Sequence, residues 1–224
     1  MNALSEQNFD LYRDIAKRTD GDVYIGVVGP VRTGKSTLIS RMMEELVLSR
    51  MAAGPRRERL TDELPQSGSG KTIMTTQPKF VPSEAVSVTL DDQSSVRVRM
   101  VDSVGYLVEG ALGTEEDGAS RMVHTPWFDY DVPFEQAAEL GTRKVITDHA
   151  TIGLVVTTDG SIADLSREAY QPPEERVVRE LKEIGKPFIL ILNSRHPEAE
   201  ETLALRQRLS ERYGVPALSL NVKE

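Results

Sequence analysis

"VVGPVRTGKST", Val27 to Thr37, is the stretch on which the fold turns. From Gly29 it has the spacing of a phosphate-binding loop, a cradle made of Gly29, Pro30, Val31, Arg32, Thr33, Gly34, Lys35, Ser36 and Thr37. The flanks fit. "DVYIGVV" before it is an apolar, β-rich run of the kind buried on both faces of a sheet. Leu38, Ile39, Met42, Met43, Leu46 and Val47 after it recur at helical spacing. In that setting the loop turns successive N–H groups toward phosphate oxygens, and the following helix adds the positive end of its dipole. Lys35 would reach the β- and γ-phosphates, and Ser36 would set its hydroxyl on Mg2+. The spacing alone arises by chance in about one chain in a hundred of this length, and the flanking strand and helix make coincidence rarer still.

A second such tripeptide, Gly70-Lys71-Thr72, lies in "PQSGSGKTIMTTQP" (65–78). Here Pro65 stands where the first glycine belongs. No apolar strand precedes it, and Thr75, Thr76 and Pro78 interrupt any helix after it. It reads as a decoy. Its place, after the phosphate-loop helix and before a hairpin, is where P-loop proteins of GTPase type carry their first switch. A threonine there closes on Mg2+ and the γ-phosphate. Thr75 or Thr76 would take that part, and a plain pair of surface-loop threonines is the alternative.

Further along, Val86, Val88 and Leu90, then Val96, Val98 and Met100, alternate on either side of "DDQS", an antiparallel hairpin. The hairpin ends in "VRMVDSVG", where Asp102 and Gly105 make the D-x-x-G of a second switch. Asp102 would hold Mg2+ through water, and the Gly105 N–H would sense the γ-phosphate. Strands follow at "TIGLVVTT", "KPFILILN" and "VPALSL", with helices between them. The alternation predicts an α/β fold, a P-loop NTPase of GTPase-like (TRAFAC) type. Its central sheet is mostly parallel with one antiparallel hairpin strand, and helices cover both faces. Met51 to Gly70 reads as loop, Leu107 to Pro133 as a mobile Gly- and acid-rich insertion, and Phe134 to Asp148 as a helix. A helix starting at the prolines is expected over "PPEERVVRELKEIG". The expected organisation is an N-terminal helical extension over 1–20 and an ATPase domain over 21–224, with an insertion at about 107–148.

The whole chain has 224 residues, a net charge of −8 and no cysteine. The acidic balance argues against nucleic acid as a partner, and a disulfide framework is excluded. No apolar run is long enough to span a bilayer, so no direct transmembrane insertion is expected and a cytoplasmic location is.

After the fifth strand, a GTPase reads guanine with N-K-x-D; here the stretch is Asn193-Ser194-Arg195-His196. Asn193 can serve the N7 edge shared by adenine and guanine. His196 replaces the carboxylate that would accept from guanine N1 and N2, a loss of roughly 1–3 kcal/mol per orphaned donor. ATP is favoured over GTP, and a loop that touches no base is the plain alternative. Tyr106 takes the position of the water-orienting glutamine of switch GTPases, where its hydroxyl could touch water but cannot act as an amide. Arg32 has two readings: a guanidinium supplying positive charge in cis at the phosphates, or an exposed arginine in a surface ion pair. Arg143 and Lys144 are weaker candidates for acting on a neighbouring subunit, and Trp127, Phe128 and Tyr130 for packing or self-assembly.

"YIGVVGPVRTGKSTLI", "DELPQSGSGKTIMTTQPKFVP", "VDSVGY", "HTPWFDYDVPFEQAAELGTRKVI" and "TIGLVVTTDGSI" together resemble the N-terminal ATPase domain of the stage IV sporulation protein A family, over essentially the whole chain. The resemblance implies a spore-coat morphogenetic ATPase of endospore-forming bacteria, of GTPase ancestry, that hydrolyses ATP to reach a polymerising state. It implies Lys35 in the phosphate loop, Asp102 as the metal-side acid, Thr75 and Thr76 as sensor threonines, and ATP with Mg2+ as substrate and cofactor. The implied partners are other copies of the chain, a small amphipathic membrane-adaptor protein and other coat proteins. They would be reached through further C-terminal domains of which this would be the excised N-terminal part. The implied place is the mother-cell cytoplasm, peripheral at the forespore outer membrane. A GTPase-type switch and a nucleotide-binding structural protein without significant turnover are the competing readings.

Overall fold

Strand β1 (Asp22–Val28) runs through the middle of a six-stranded sheet, and everything else is arranged around it. The computed structural model describes residues 22–65, 77–89, 95–111, 113, 115–116 and 118–224. The sheet also contains β2 (Lys79–Thr89), β3 (Ser95–Asp102), β4 (Ile152–Thr158), β5 (Phe188–Asn193) and β6 (Ala217–Leu220), in the order β6-β5-β4-β1-β3-β2. All neighbours are parallel except β2, which returns antiparallel on β3 as the hairpin pattern predicts. The chain leaves β1 toward β3 on one side and later places β4 on the other. β1 is therefore the point where the strand order reverses, and a crevice opens beyond the carboxyl ends of its neighbours. Val27 pairs with Asp102, Val28 with Val155, and Thr158 with Asn193, so the residues that leave these strands emerge along one edge.

Helix α1 (Lys35–Leu46) covers one face of the sheet. Leu38, Ile39 and Met43 bury against Val27, Val81, Met100 and Val156. Each such side chain contributes about 1.5–3 kcal/mol relative to leaving it in water. α2 (Pro55–Glu63) lies where the sequence reads as loop. Pro55 opens it after Gly54 and Glu58 sits in its first turn, but Leu60 is its sole buried residue, too little to give a period.

On the opposite face lie α3 (Phe134–Lys144), α4 (Arg167–Glu183) and α5 (Glu200–Tyr213), with Val145, Ile146, Val177, Leu181, Leu209 and Tyr213 packed on Val28, Val101, Val155, Leu190 and Leu192. α4 starts ahead of its prolines rather than at them, so Pro172 and Pro173 lie inside the helix. Tertiary contacts outweigh the two lost backbone donors. Glu174, with no exposed surface, receives hydrogen bonds from Thr157, Tyr213 and Arg167, and Arg167 stands in the first turn of α4. Tyr170, equally buried, anchors the next turn.

The segment 107–133, expected as an insertion, carries some regular structure of its own. Its described residues form two short ribbons, Glu115–Glu116 with Ala119–Ser120 and Met122–Val123 with Val132–Pro133. Val108, Ala111, Val123 and Val132 are buried with Phe134, Ala137, Ala138 and Tyr170 in a cluster of their own. Glycines and acids dominate the composition, but four small apolar residues suffice to pin the segment. The expected extension over 1–20, the lookalike Gly70-Lys71-Thr72, and Thr75 and Thr76 lie outside the described residues.

Candidate functional site

At the end of β1 the backbone takes the turns of an anion cradle. Gly29 has φ 139°, and a Cβ there would stand 2.2 Å from the Val156 carbonyl oxygen. Arg32, at φ 61°, holds a left-handed conformation that a non-glycine residue adopts at a cost, and Gly34 closes the turn as the N-cap of α1 at φ 92°. The Thr33 hydroxyl donates to the Pro30 carbonyl (3.0 Å), tying the loop across itself. Val31 N–H donates to the Tyr106 carbonyl (2.9 Å), joining the loop to the segment that follows Asp102. The free helix N-terminus, with no side-chain cap, faces the cradle.

Lys35 and Asp102 share the floor of this loop, both nearly without exposed surface. The Lys35 ammonium donates to the Pro30 carbonyl at 2.6 Å. Burial pulls its pKa down to about 8, against the raising influence of Asp102. Burial pushes the Asp102 carboxyl up, opposed by the hydrogen bond from Ser36 and the charge of Lys35. Ser36 donates to Asp102 Oδ2 at 2.6 Å, while Asp102 Oδ1 is buried without a partner. A hydroxyl beside a carboxylate with one orphaned oxygen suits a small hard cation that keeps several waters. The residues present fit Mg2+.

Gly105 sits directly over the lysine. A Cβ there would lie 2.5 Å from the Gly29 oxygen and 2.6 Å from Lys35 Nζ, at φ 99°. No other residue allows this approach. The Gly105 N–H donates to Thr142 Oγ1 of α3 at 2.9 Å. Thus Lys35, Ser36, Asp102 and Gly105, picked out at two separate places in the sequence, come together around the cradle.

Tyr106, at the position of the GTPase glutamine, turns into the protein. It is 1% exposed and its hydroxyl donates to Glu180 of α4 at 2.5 Å, with the Arg176 guanidinium 4.0 Å over its ring. Burial first, and then Glu180, push the phenol pKa upward. Tyr106 joins the site to α4. Arg32 is half-buried, and its charge acts on Tyr170, whose hydroxyl is buried without a partner. Thr37 has a partner of its own.

Asn193 is buried against the loop. Its Nδ2 donates to the Thr33 carbonyl (3.0 Å) and its Oδ1 accepts from Val222 N–H (3.2 Å), leaving one amide hydrogen. The carboxylate beside this loop is Asp159. Burial would raise its pKa, but hydrogen bonds from Ser161 and Ser194 outweigh it and hold the group below the usual range. Oδ1 takes the Ser161 N–H and hydroxyl, and Oδ2 takes Ser194 at 2.6 Å. Thr142, Glu180, Arg176 and Asp159 escaped the sequence reading: the first three reach the site only through the packing of α3 and α4, and Asp159, just past β4, meets Ser194 only because β4 and β5 pair.

The family described as stage IV sporulation protein A, ATPase domain, matches residues 6–224. Three curated relatives, each called stage IV sporulation protein A, align over 217 residues, 97% of this chain and 44% of theirs. They come from Clostridioides difficile (strain 630), at 57% identity, Bacillus subtilis (strain 168), at 54%, and Bacillus anthracis, at 52%. The chain spans less than half the length of these relatives.

Proposed function

Because this chain belongs to the stage IV sporulation protein A family, within its ATPase domain, we propose that it is a Mg2+-dependent ATP phosphohydrolase whose turnover drives self-assembly of the spore-coat basement layer around the forespore. The observation that carries the hydrolase reading is the cluster of Lys35, Ser36, Asp102 and Gly105 around one strained loop. Loop N–H groups and Lys35 hold the β- and γ-phosphate charge. Ser36 and Asp102 would hold the metal, which when bound would supply positive charge to neutralise the phosphates. The Gly105 N–H donates to the γ-phosphate as charge shifts in the transition state. Thr75 and Thr76 are proposed to close over the γ-phosphate and position water, with Arg32 supplying positive charge in cis.

Adenine is preferred because the base loop lacks a free acceptor for guanine N1 and N2. His196 replaces the acid, and both oxygens of Asp159 are taken by serines. We place the activity in the mother-cell cytoplasm, with copies of the chain, a small amphipathic membrane adaptor and other coat proteins as partners. Among the described residues no helix is long and apolar enough to cross a membrane.

Phosphate release from ATP and GTP, measured side by side with and without Mg2+, tests the reading. Mg2+-dependent turnover with ATP strongly preferred is expected. Equal or preferred use of GTP would favour a switch GTPase, and nucleotide binding without release a structural role.

A further inference from the structure

The Gly105 amide has one hydrogen, and in this structure a side chain already holds it. Thr142 Oγ1 lies 2.9 Å away, on a residue of α3 with no exposed surface. We propose that Thr142 is an internal competitor for the γ-phosphate. It satisfies the sensing amide when the site holds no γ-phosphate, and releases it when one arrives, so that the hydroxyl sets the preference between triphosphate and diphosphate. The proposal rests on the nucleotide-binding reading above and assigns α3 a part in it.

Two constraints make the exchange all-or-none. A single N–H donates one good hydrogen bond, so Thr142 and a phosphate oxygen cannot both receive it with good geometry. Gly105 also has little room to shift toward the loop, since a Cβ there would already lie 2.5 Å from the Gly29 carbonyl oxygen, 2.6 Å from the Lys35 ammonium and 3.0 Å from Pro30. A γ-phosphate near Lys35 therefore meets an amide at fixed distance, and the partner that yields is the hydroxyl.

What surrounds Thr142 gives the exchange a path outward. The preceding residue, Gly141, packs so closely that an added Cβ would lie 3.1 Å from Pro78 and 3.2 Å from Trp127. One turn of α3 thus meets Pro78 as well as Gly105. Near the same turn, Glu139 pairs with Arg176, whose guanidinium covers the Tyr106 ring. α3 thus holds Gly105 directly through a hydroxyl, and reaches Tyr106 only through Arg176 of α4, the partner of Glu139.

The test compares the affinities of a non-hydrolysable ATP analogue and of ADP, by calorimetry with Mg2+, for the wild-type chain and for the Thr142→Val and Thr142→Ser proteins. Without the competing acceptor, Thr142→Val should raise the ratio of analogue to ADP affinity by about three- to tenfold, with ADP affinity unchanged. Thr142→Ser, which keeps the hydroxyl, should retain the wild-type ratio. Amide spectra of the wild-type chain give a readout that needs no variant. The Gly105 signal should move on binding the analogue and stay in place on binding ADP. An unchanged ratio in a folded Thr142→Val protein, or a Gly105 amide that responds identically to both ligands, overturns the proposal alone. Failure of the wild-type chain to bind either nucleotide overturns the underlying reading and this proposal together.

Discussion

Lys35 keeps its ammonium where water has been removed, and the Pro30 carbonyl is the partner that satisfies it. Lowering its pKa from 10.5 to about 8 corresponds to about 3 kcal/mol of unfavourable burial. An anionic triphosphate relieves that cost by favouring the charged form. The pH dependence follows. Above pH 8 the nucleotide-free lysine is losing its proton, so binding must take one up. Triphosphate affinity should then fall as pH rises from 7 to 9.5, approaching tenfold per pH unit, with proton uptake seen by calorimetry in buffers of different ionisation heat. Stability runs the other way. Between the folded value near 8 and the unfolded 10.5 the unfolded chain holds more protons, so the nucleotide-free protein should gain stability across that window. Tyr106 separates two roles at the same scale. If it is a strut, Tyr106→Phe should cost about 1–2 kcal/mol in denaturant unfolding and leave turnover within a few-fold of wild type. A collapse of turnover with stability intact would return Tyr106 to the attacking water.

At the scale of elements, the strands and α1 were readable because their apolar periods are unbroken: "DVYIGVV", "TIGLVVTT" and "KPFILILN" each become a buried parallel strand. The start of α4 was not, because local rules favour the prolines as its first turn while the Arg167–Glu174 pair, whose further partner Tyr213 lies on α5 with a sequence separation of 39 from Glu174, fixes it earlier. α2 was missed for the opposite reason, a real helix with a single buried side chain. The Glu174 cluster carries a prediction of its own. Glu174→Ala leaves Arg167 near-buried without its carboxylate and should cost about 3–5 kcal/mol, read as a lowered melting temperature. A loss below 1 kcal/mol would mean that the first turn of α4 is held by Tyr170 and its apolar neighbours instead.

For the whole molecule, the sheet order explains how residues far apart in sequence arrive at one crevice. β1 delivers the loop, β3 delivers Asp102 and Gly105, and β5 delivers Asn193 beneath the loop, all at the same edge. The order of motifs along the chain made that much legible. It could not show that α3 holds the sensing amide or that Tyr106 turns toward α4, since those contacts depend on packing across the opposite face, nor that Asp159 accepts from Ser194, which depends on the pairing of β4 with β5. The central claim is that the loop opening at Gly29 carries the phosphate chemistry and its lookalike at Gly70-Lys71-Thr72 does not. Phosphate release from ATP, measured for Lys35→Ala and Lys71→Ala in parallel, is the direct test. The account predicts a loss of about a hundredfold or more for Lys35→Ala and near wild-type turnover for Lys71→Ala. Abolished turnover in Lys71→Ala with Lys35→Ala still active would contradict it.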